Sequence, residues 1–377
     1  MPRVSPLKAP SLRQLRRYAI ARSLFKATSL SRAIARLGFV QADPMRAPAR
    51  AQDLILAQRV KDYRAGELER RYPRLAIEEA FFVNYGFLPR ETLALVHPRG
   101  APCAWDTRMQ ARAQEVLAFV RQHDRTHPKE VQAHFDHGRI KRWGGDLNAS
   151  THLLEGLHYR GLLRVARREA GTRVYQAIEH PPQDDSPEAR LARAGQLLDM
   201  VVQLYAPLPA ASLGYLCRLL RYGVPHLAAE ARQVQEQAKS RYAHAQVDGL
   251  LWFWPQGEKP VAARHSVDDR LRFLAPFDPV VWDRRRFQLG IQAGGLCAGP
   301  QAPHGPLRDA HAMGRANTWL GQSEGGRWPA AAPAGLRRPA ARRQRLSAGA
   351  GRGIAADAGV SGTLAKFSMI LLAHNGS

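Results

Sequence analysis

The sequence predicts a mainly α-helical protein with small β-hairpins, an α+β fold built from tandem winged-helix motifs that ends in an irregular tail. Three helical units follow one another along the chain, and each precedes a candidate strand or hairpin. Helix, turn, helix and hairpin in that order are the elements of a winged helix. We therefore expect winged-helix-like units over 1–125, 126–182 and 183–288, followed by the irregular tail over 289–377.

The clearest unit is the second. PKEVQAHF predicts a short helix, KRWGG a turn, and DLNASTHLLEGLHYRGLL a longer helix, whereas LLRVARREAGTRVYQAI alternates in two arms around Ala170-Gly171, as a β-hairpin does. In a winged helix the second helix can enter the major groove while a basic hairpin touches phosphates. Four arginines of the hairpin are therefore candidate phosphate contacts: Arg164, Arg167, Arg168 and Arg173. The alternative is that this unit only packs against its neighbours.

The third unit repeats the order. SPEARLARAGQLLDMVVQLYA predicts a long helix, two shorter helices follow, and YAHAQVDGLLWFWP predicts two strands that turn at Asp248-Gly249. The aromatic run Trp252, Phe253 and Trp254 could stack on bases. We expect these three side chains in the core instead, because a strand of this composition usually buries at least one face.

The net charge favours a polyanionic partner. The chain has 377 residues, with 56 Lys and Arg against 32 Asp and Glu, a formal net charge of +24 and a pI of about 10.9. Such a field attracts DNA, but charge alone fixes neither the fold nor the ligand, and arginine-rich surfaces also arise without any nucleic-acid role.

The cysteines and the N-terminus point to a cytoplasmic protein. Cys103, Cys217 and Cys297 are isolated, so they build neither a disulfide framework nor a four-thiolate metal site, and we expect no metal or cofactor. The basic N-terminus is not followed by an apolar signal core, and no stretch approaches the roughly 20 apolar residues of a membrane span. We expect a cytoplasmic monomer.

The first unit carries the most informative pair of residues. Two predicted helices, the second ending at Gly38, lead into FVQADP, where Asp43 precedes Pro44 and is therefore pushed towards extended geometry. Residues i and i+2 of an extended segment project from the same face, so Gln41 and Asp43 would converge as a pair able to hold water. The pattern by itself also fits a capping aspartate beside a solvated glutamine.

Three stretches carry a resemblance to a known family. GFVQADPMRAPARAQDLILAQRVKDY, RRYPRLAIEEAFFVNYGFLPRE and RFLAPFDPVVWDRRRF resemble the YcaQ/AlkZ family of DNA glycosylases over roughly the first three quarters of the chain. The family's catalytic signature is Gln, an apolar residue, then Asp or Gln, and Gln41-Ala42-Asp43 matches its Asp form. The resemblance also implies tandem winged helices, in agreement with the helix order.

That resemblance implies a monofunctional DNA glycosylase. It would release alkylated bases, N7-alkylpurines above all, from damaged or crosslinked double-stranded DNA in base excision repair. Asp43 would act as base and electrostatic stabiliser and Gln41 would position the water. Two other classes stay open: a non-catalytic winged-helix DNA-binding protein or transcriptional regulator, and a scaffold that uses winged helices for protein contacts.

The remaining candidates are provisional. Arg46 and Arg50 could hold phosphates beside the lesion, or could pair with acids such as Asp53. We expect Arg284 and Arg285 to be solvated or phosphate-facing. Pocket roles are assigned to Tyr85, His97 and Asp278, although a turn role is favoured for the pre-proline Asp278 and a structural role for His97.

The tail differs in composition from the rest of the chain. After Phe287 the sequence becomes rich in Gly, Ala, Pro and Arg, and it lacks the tyrosine-rich strand segment with which the family continues. We expect residues 289–377 to be disordered, and we hypothesise that a frameshift replaced the C-terminal part.

Overall fold

The computed structural model describes residues 9–43, 49–99, 104–142, 145–262, 265, 272–288 and 370–372. Within these ranges helices predominate, and short antiparallel strands form small sheets of two or three strands. The predicted class, helical with small β-hairpins, is confirmed.

The described part of the first region contains five helices and a three-stranded sheet with the order β1-β3-β2, in which α2 contacts β3 and α3 contacts β1. Ser29 caps the second helix, which ends at Gly38 with a φ of 72°, a left-handed conformation that glycine adopts without strain. The helices are α1 (Leu12–Ser23), α2 (Leu30–Leu37), α3 (Ala51–Ala57), α4 (Glu67–Arg71) and α5 (Leu93–Val96). The strands are β1 (Val40–Gln41), β2 (Ile77–Phe81) and β3 (Tyr85–Pro89), with 3-10 turns at Tyr72–Arg74 and Arg90–Thr92.

The second region begins earlier than the predicted boundary at residue 126. Its first helix, α6, packs against α8, and Thr126 bridges to Tyr175 of the hairpin β6–β7. The helices are α6 (Thr107–Gln122), α7 (Pro128–His134) and α8 (Ala149–Tyr159). The strands are β4 (Arg139–Arg142), β5 (Gly145–Asn148), β6 (Leu163–Glu169) and β7 (Thr172–Ala177).

The turn predicted at KRWGG lies within a pair of strands that the sequence pattern did not predict. An antiparallel pair, β4 and β5, lies between α7 and α8, with Arg142 opposite Gly145.

The third region joins a long helix to another three-stranded sheet, with the order β8-β10-β9. Trp252, Phe253 and Trp254 are all buried, which confirms the core prediction for the aromatic run. The helices are α9 (Pro187–Tyr205), α10 (Ala210–Leu219), α11 (Ala228–Glu236) and α12 (Ala238–Arg241), with 3-10 turns at Leu220–Tyr222 and Pro225–Leu227. The strands are β8 (Leu208–Pro209), β9 (Ala243–Val247) and β10 (Leu250–Trp254).

The end of the chain departs in one place from the irregular tail that we expected. Strand β11 (Arg272–Leu274) and helix α13 (Arg284–Arg286) are followed by β12 (Ile370–Leu372), which pairs antiparallel with β11. Ile-Leu-Leu is apolar and suited to a strand, which explains why these three tail residues pair. The rest of the predicted tail lies outside the described residues.

Asp278, for which a turn role is favoured over a pocket role, forms an ion pair with Arg59. It is fully buried, and Arg59 Nη1 and Nη2 donate to its two carboxylate oxygens at 2.7 and 2.9 Å. The Asp278 carboxylate also accepts from the backbone N–H of Val280 at 3.0 Å, so it closes the turn in FLAPFDP. This ion pair joins the end of α3 to the segment before α13.

Candidate active site

The backbone of Gln41-Ala42-Asp43 is fixed on both sides of the tripeptide. In β1, Gln41 lies opposite Gly86 of β3, and the N–H of Ala42 donates to the carbonyl oxygen of Tyr85 at 3.0 Å. The N–H of Asp43 donates to Oε1 of the buried Gln52 at 3.1 Å. The ladder through Ala42 fits the extended backbone predicted here, and the convergence of the two side chains stays a prediction.

The side chain of Gln41 is buried without partners. Its exposed fraction is 3%, and neither its amide nitrogen nor its amide oxygen has a hydrogen-bond partner among the described residues. Burying an unsatisfied polar group costs about 1–3 kcal/mol. Such a group in a folded protein usually has a function or an additional partner. The amide of Gln41 is therefore free to hold a water molecule or a substrate group, whereas Asp43 is partly exposed.

Gly86 allows β1 to approach β3 closely. A Cβ atom at this position would lie 2.4 Å from the carbonyl oxygen of Val40 and 2.5 Å from the ring of Phe39. Both distances are shorter than van der Waals contact, so only glycine fits opposite Gln41.

Tyr85 of β3, the strand paired with β1, connects this sheet to the hairpin β6–β7. Its hydroxyl donates to Oε2 of Glu79 at 2.7 Å, and the guanidinium of Arg173 lies 4.5 Å from the centre of its ring. Arg168 donates to both oxygens of Glu79, at 2.7 and 2.6 Å, and Arg173 Nε lies 3.7 Å from the same carboxylate. The residue whose carbonyl holds Ala42 is thus held in turn by a buried network of charges.

The charges of this network determine the pKa of Glu79. Burial alone would raise it, but the positive charges of Arg168 and Arg173, together with hydrogen bonds from Arg168 and Tyr85, outweigh burial and hold the pKa at about 2. Next to it, burial and the charge of Arg173 lower the pKa of His158 to about 4. Glu79 is therefore a carboxylate and His158 neutral at pH 7.

His97 lines a cavity next to this network. Glu79, His158 and His180 also line it, and it has room for about one water molecule. His97 stacks on His180 with ring centres 4.8 Å apart, and burial lowers the pKa of His97 well below its usual value. Among the described residues no group of His, Cys, Asp and Glu side chains is suited to hold a metal ion.

A family model described as AlkZ-like DNA glycosylase matches residues 34–293, more than half of the chain and including Gln41, Asp43 and Tyr85. The chain belongs to the AlkZ-like DNA glycosylase family. It is also similar in fold to the DNA glycosylase AlkZ of Streptomyces sahachiroi, with a TM-score of 0.50 and 14% identity, over 83% of this chain and 97% of that chain. At that identity the likeness bears on the fold alone. No helix in the described ranges of this AlkZ-like protein is long and apolar enough to cross a membrane.

Three of the four hairpin arginines are already paired with carboxylates, which favours the alternative that this unit packs against its neighbours over a role in binding DNA phosphates. Arg164 Nη2 lies 2.7 Å from the buried Glu78, and Arg168 and Arg173 face Glu79 as described above. These side chains are mostly buried, and in this AlkZ-like protein their ion pairs connect the hairpin β6–β7 to Glu78 and Glu79 of β2 instead. Arg167 is the most exposed of the four, with 37% of its side chain accessible, and it pairs with Glu169 on the same strand.

The other predicted arginines are dispersed. Arg50 forms an ion pair with Glu69, not with Asp53, whose carboxylate accepts from Tyr63 and Gly66. Arg285 is exposed and Arg284 is partly buried, whereas the neighbouring Arg286 is buried and donates to backbone carbonyl groups. Arg46 lies outside the described residues.

Glu78 and Glu79 were not predicted from the sequence as residues of the site. The signal was present, because two adjacent acids interrupt the apolar strand IEEAFF, and a buried carboxylate requires a cationic partner. What the sequence could not provide was that partner, since Arg164 and Arg168 lie 86 and 89 residues away along the chain.

Proposed function

We propose that this protein is a monofunctional DNA glycosylase that hydrolyses the N-glycosidic bond of N7-alkylated purines in double-stranded DNA, with interstrand crosslinks as a further substrate class. The observation that carries the proposal is the buried amide of Gln41, which has no hydrogen-bond partner among the described residues and lies two residues before Asp43, inside the region that matches the family. Cytoplasmic location and a monomeric state stay predictions.

The chemistry requires little help on the base side. A purine alkylated at N7 already carries a positive charge, so it leaves as a neutral base without a general acid. On the sugar side, the carboxylate of Asp43 stabilises the developing oxocarbenium ion. The amide of Gln41 orients a water molecule, whose oxygen bonds to C1′ while its proton passes to Asp43. The products are the free base and an abasic site, and no lysine nucleophile or strand cleavage is needed.

The arrangement of the second region supports winged-helix motifs. Helices α6, α7 and α8 precede the hairpin β6–β7, and Thr126 adds a one-residue bridge to β7, in the order that a winged helix requires. We propose that the first and third regions are related motifs and that DNA lies across them next to β1.

Single-turnover base release from a duplex carrying N7-methylguanine tests the proposal. We expect Asp43→Asn and Gln41→Ala to lower the rate, by about 10²–10⁴-fold for the general base. Asp248→Asn is the matched control, because it makes the same chemical change at an exposed hairpin turn where asparagine is well tolerated. Release that persists unchanged in Asp43→Asn would contradict the mechanism. Salt-dependent DNA binding by the wild type without any release would favour the non-catalytic regulator.

A further inference from the structure

The N-terminal segment has an unusual balance of charge. Residues 1–42 contain nine basic residues and no Asp or Glu. The basic residues are Arg3, Lys8, Arg13, Arg16, Arg17, Arg22, Lys26, Arg32 and Arg36. The described part of this segment is α1, α2 and the start of β1, so its charges lie on the elements that lead directly to Gln41.

Four of these arginines lie in two pairs spaced four residues apart, Arg13 and Arg17 on α1 and Arg32 and Arg36 on α2, and we call this set the α1–α2 face. All four are exposed. Within the described residues, none of the four forms an ion pair with a carboxylate. Arg22 of α1, by contrast, forms an ion pair with Glu258 at 3.1 Å. The guanidinium of Arg36 lies 4.1 Å from the ring centre of Phe25, so it is held by an aromatic ring and its charge is not neutralised.

Helix α2 is built to present this face while being held firmly from behind. Its apolar residues Leu30, Ala33, Ile34 and Leu37 are buried, and the helix packs against β3 of the site sheet. Its exposed side alternates arginine with the small residues Ser31 and Ala35, which let a partner approach the helix closely. Arg36 precedes Gln41 by only five residues, and α2 and β1 both contact β3, so the arginines of α2 lie close in the fold to the strand that carries Gln41.

We propose that the α1–α2 face binds the phosphate backbone of duplex DNA close to the damaged base, which lies beside Gln41. This proposal rests on the proposed function and adds the surface that performs the binding. The arginines are charged at any physiological pH, are not neutralised by carboxylates, and match a row of phosphates in sign. The hairpin β6–β7 lacks this property, because three of its four arginines already face Glu78 or Glu79.

The salt dependence of binding to an undamaged duplex tests the surface separately from the chemistry. We would compare the wild type, Arg17→Gln/Arg32→Gln, and the control Arg71→Gln/Arg241→Gln by fluorescence anisotropy over a range of NaCl concentrations. The control removes the same charge, but from arginines paired with Glu67 and Asp199. Thermal melting in the absence of DNA checks that each variant is folded.

The slope of log K against log [NaCl] reports the number of phosphates that are neutralised. For the double variant of the face we expect a slope smaller in magnitude by about 0.9 for each phosphate that the protein no longer neutralises, or about 1.8 in all, and for the control the wild-type slope. An unchanged slope in the face variant, or an equal change of slope in the control, would overturn the proposal that this face binds DNA. No salt-dependent binding by the wild type would overturn both proposals, and a shifted slope without base release would overturn only the enzymatic one.

Discussion

The α1–α2 face and the hairpin β6–β7 are both rich in arginine, yet they use their charge in opposite ways. On the hairpin, Arg164, Arg168 and Arg173 face buried glutamates and join the second region to the site sheet. On the α1–α2 face, Arg17 and Arg32 are exposed, and neither forms an ion pair within the described ranges. Arginine content therefore does not reveal which surface attracts DNA, and only the location of the carboxylates distinguishes the two regions.

The largest effect that separates the two regions is expected from Glu79→Gln. This change leaves Arg168 without its carboxylate partner and removes the carboxylate that accepts the hydrogen bond from the Tyr85 hydroxyl. Breaking a buried ion pair costs about 3–5 kcal/mol. Urea unfolding measures the loss. Glu169→Gln is the matched control, because it breaks an exposed pair with Arg167 that is worth about 1 kcal/mol or less.

Equal stability losses in the two variants would contradict the structural role of the hairpin. So would a normal rate of base release by Glu79→Gln under conditions where it is fully folded, because the network would then not position the segment that carries Gln41.

Acid provides the second comparison. The folded pKa of Glu79, about 2, lies below its ordinary value of 4.5, so its contribution to stability is present above pH 4.5 and is lost as the pH falls towards 2. The folded pKa of His158, about 4, lies below 6.5, so the unfolded chain takes up the proton first and stability is lost between pH 6.5 and 4.

Each of these pH windows corresponds to at most about 4 kcal/mol, at about 1.4 kcal/mol for each pKa unit. The free energy of unfolding, measured in urea from pH 7.5 to 3, should therefore decrease in two stages, and His158→Gln should reduce the stage at higher pH, to which the buried His97 also contributes. The α1–α2 face has only arginines, so its charge does not change across this range. A free energy of unfolding that is flat from pH 6.5 to 4 in the wild type would be inconsistent with the neutral, buried His158.

The smallest of these effects is expected from Gly86→Ala. Its Cβ would meet the carbonyl of Val40, so β1 must shift, at a cost of about 1–3 kcal/mol. We expect slower base release with little change in the salt slope, because the α1–α2 face is untouched. Gly214→Ala in α10 is the matched control, because its Cβ would make only ordinary van der Waals contacts. Gly249→Ala is unsuitable as a control, because Gly249 has a positive φ. Release at the wild-type rate by Gly86→Ala would show that the tight fit is not needed.

The sequence was most informative where signals are local. Helix caps, the Ala170-Gly171 turn and the buried aromatic run of β10 are encoded within a few neighbouring residues, and the resemblance located Gln41 and Asp43 directly. The pairing of Arg168 with Glu79 or of Arg59 with Asp278 depends on residues 89 and 219 positions apart, which no local pattern reports. The hairpin arginines were therefore assigned to DNA because their carboxylate partners could not be identified from sequence.

The most direct test of the account is the single-turnover rate of N7-methylguanine release as a function of protein concentration, for Arg17→Gln/Arg32→Gln and for Glu79→Gln. We predict that the first variant mainly raises the concentration needed for half-maximal release, because it weakens DNA binding. We predict that the second mainly lowers the maximal rate, because it loosens the strand next to Gln41. The reverse pattern, or the same pattern in both variants, would contradict the division between a face that binds DNA and a hairpin that holds the site.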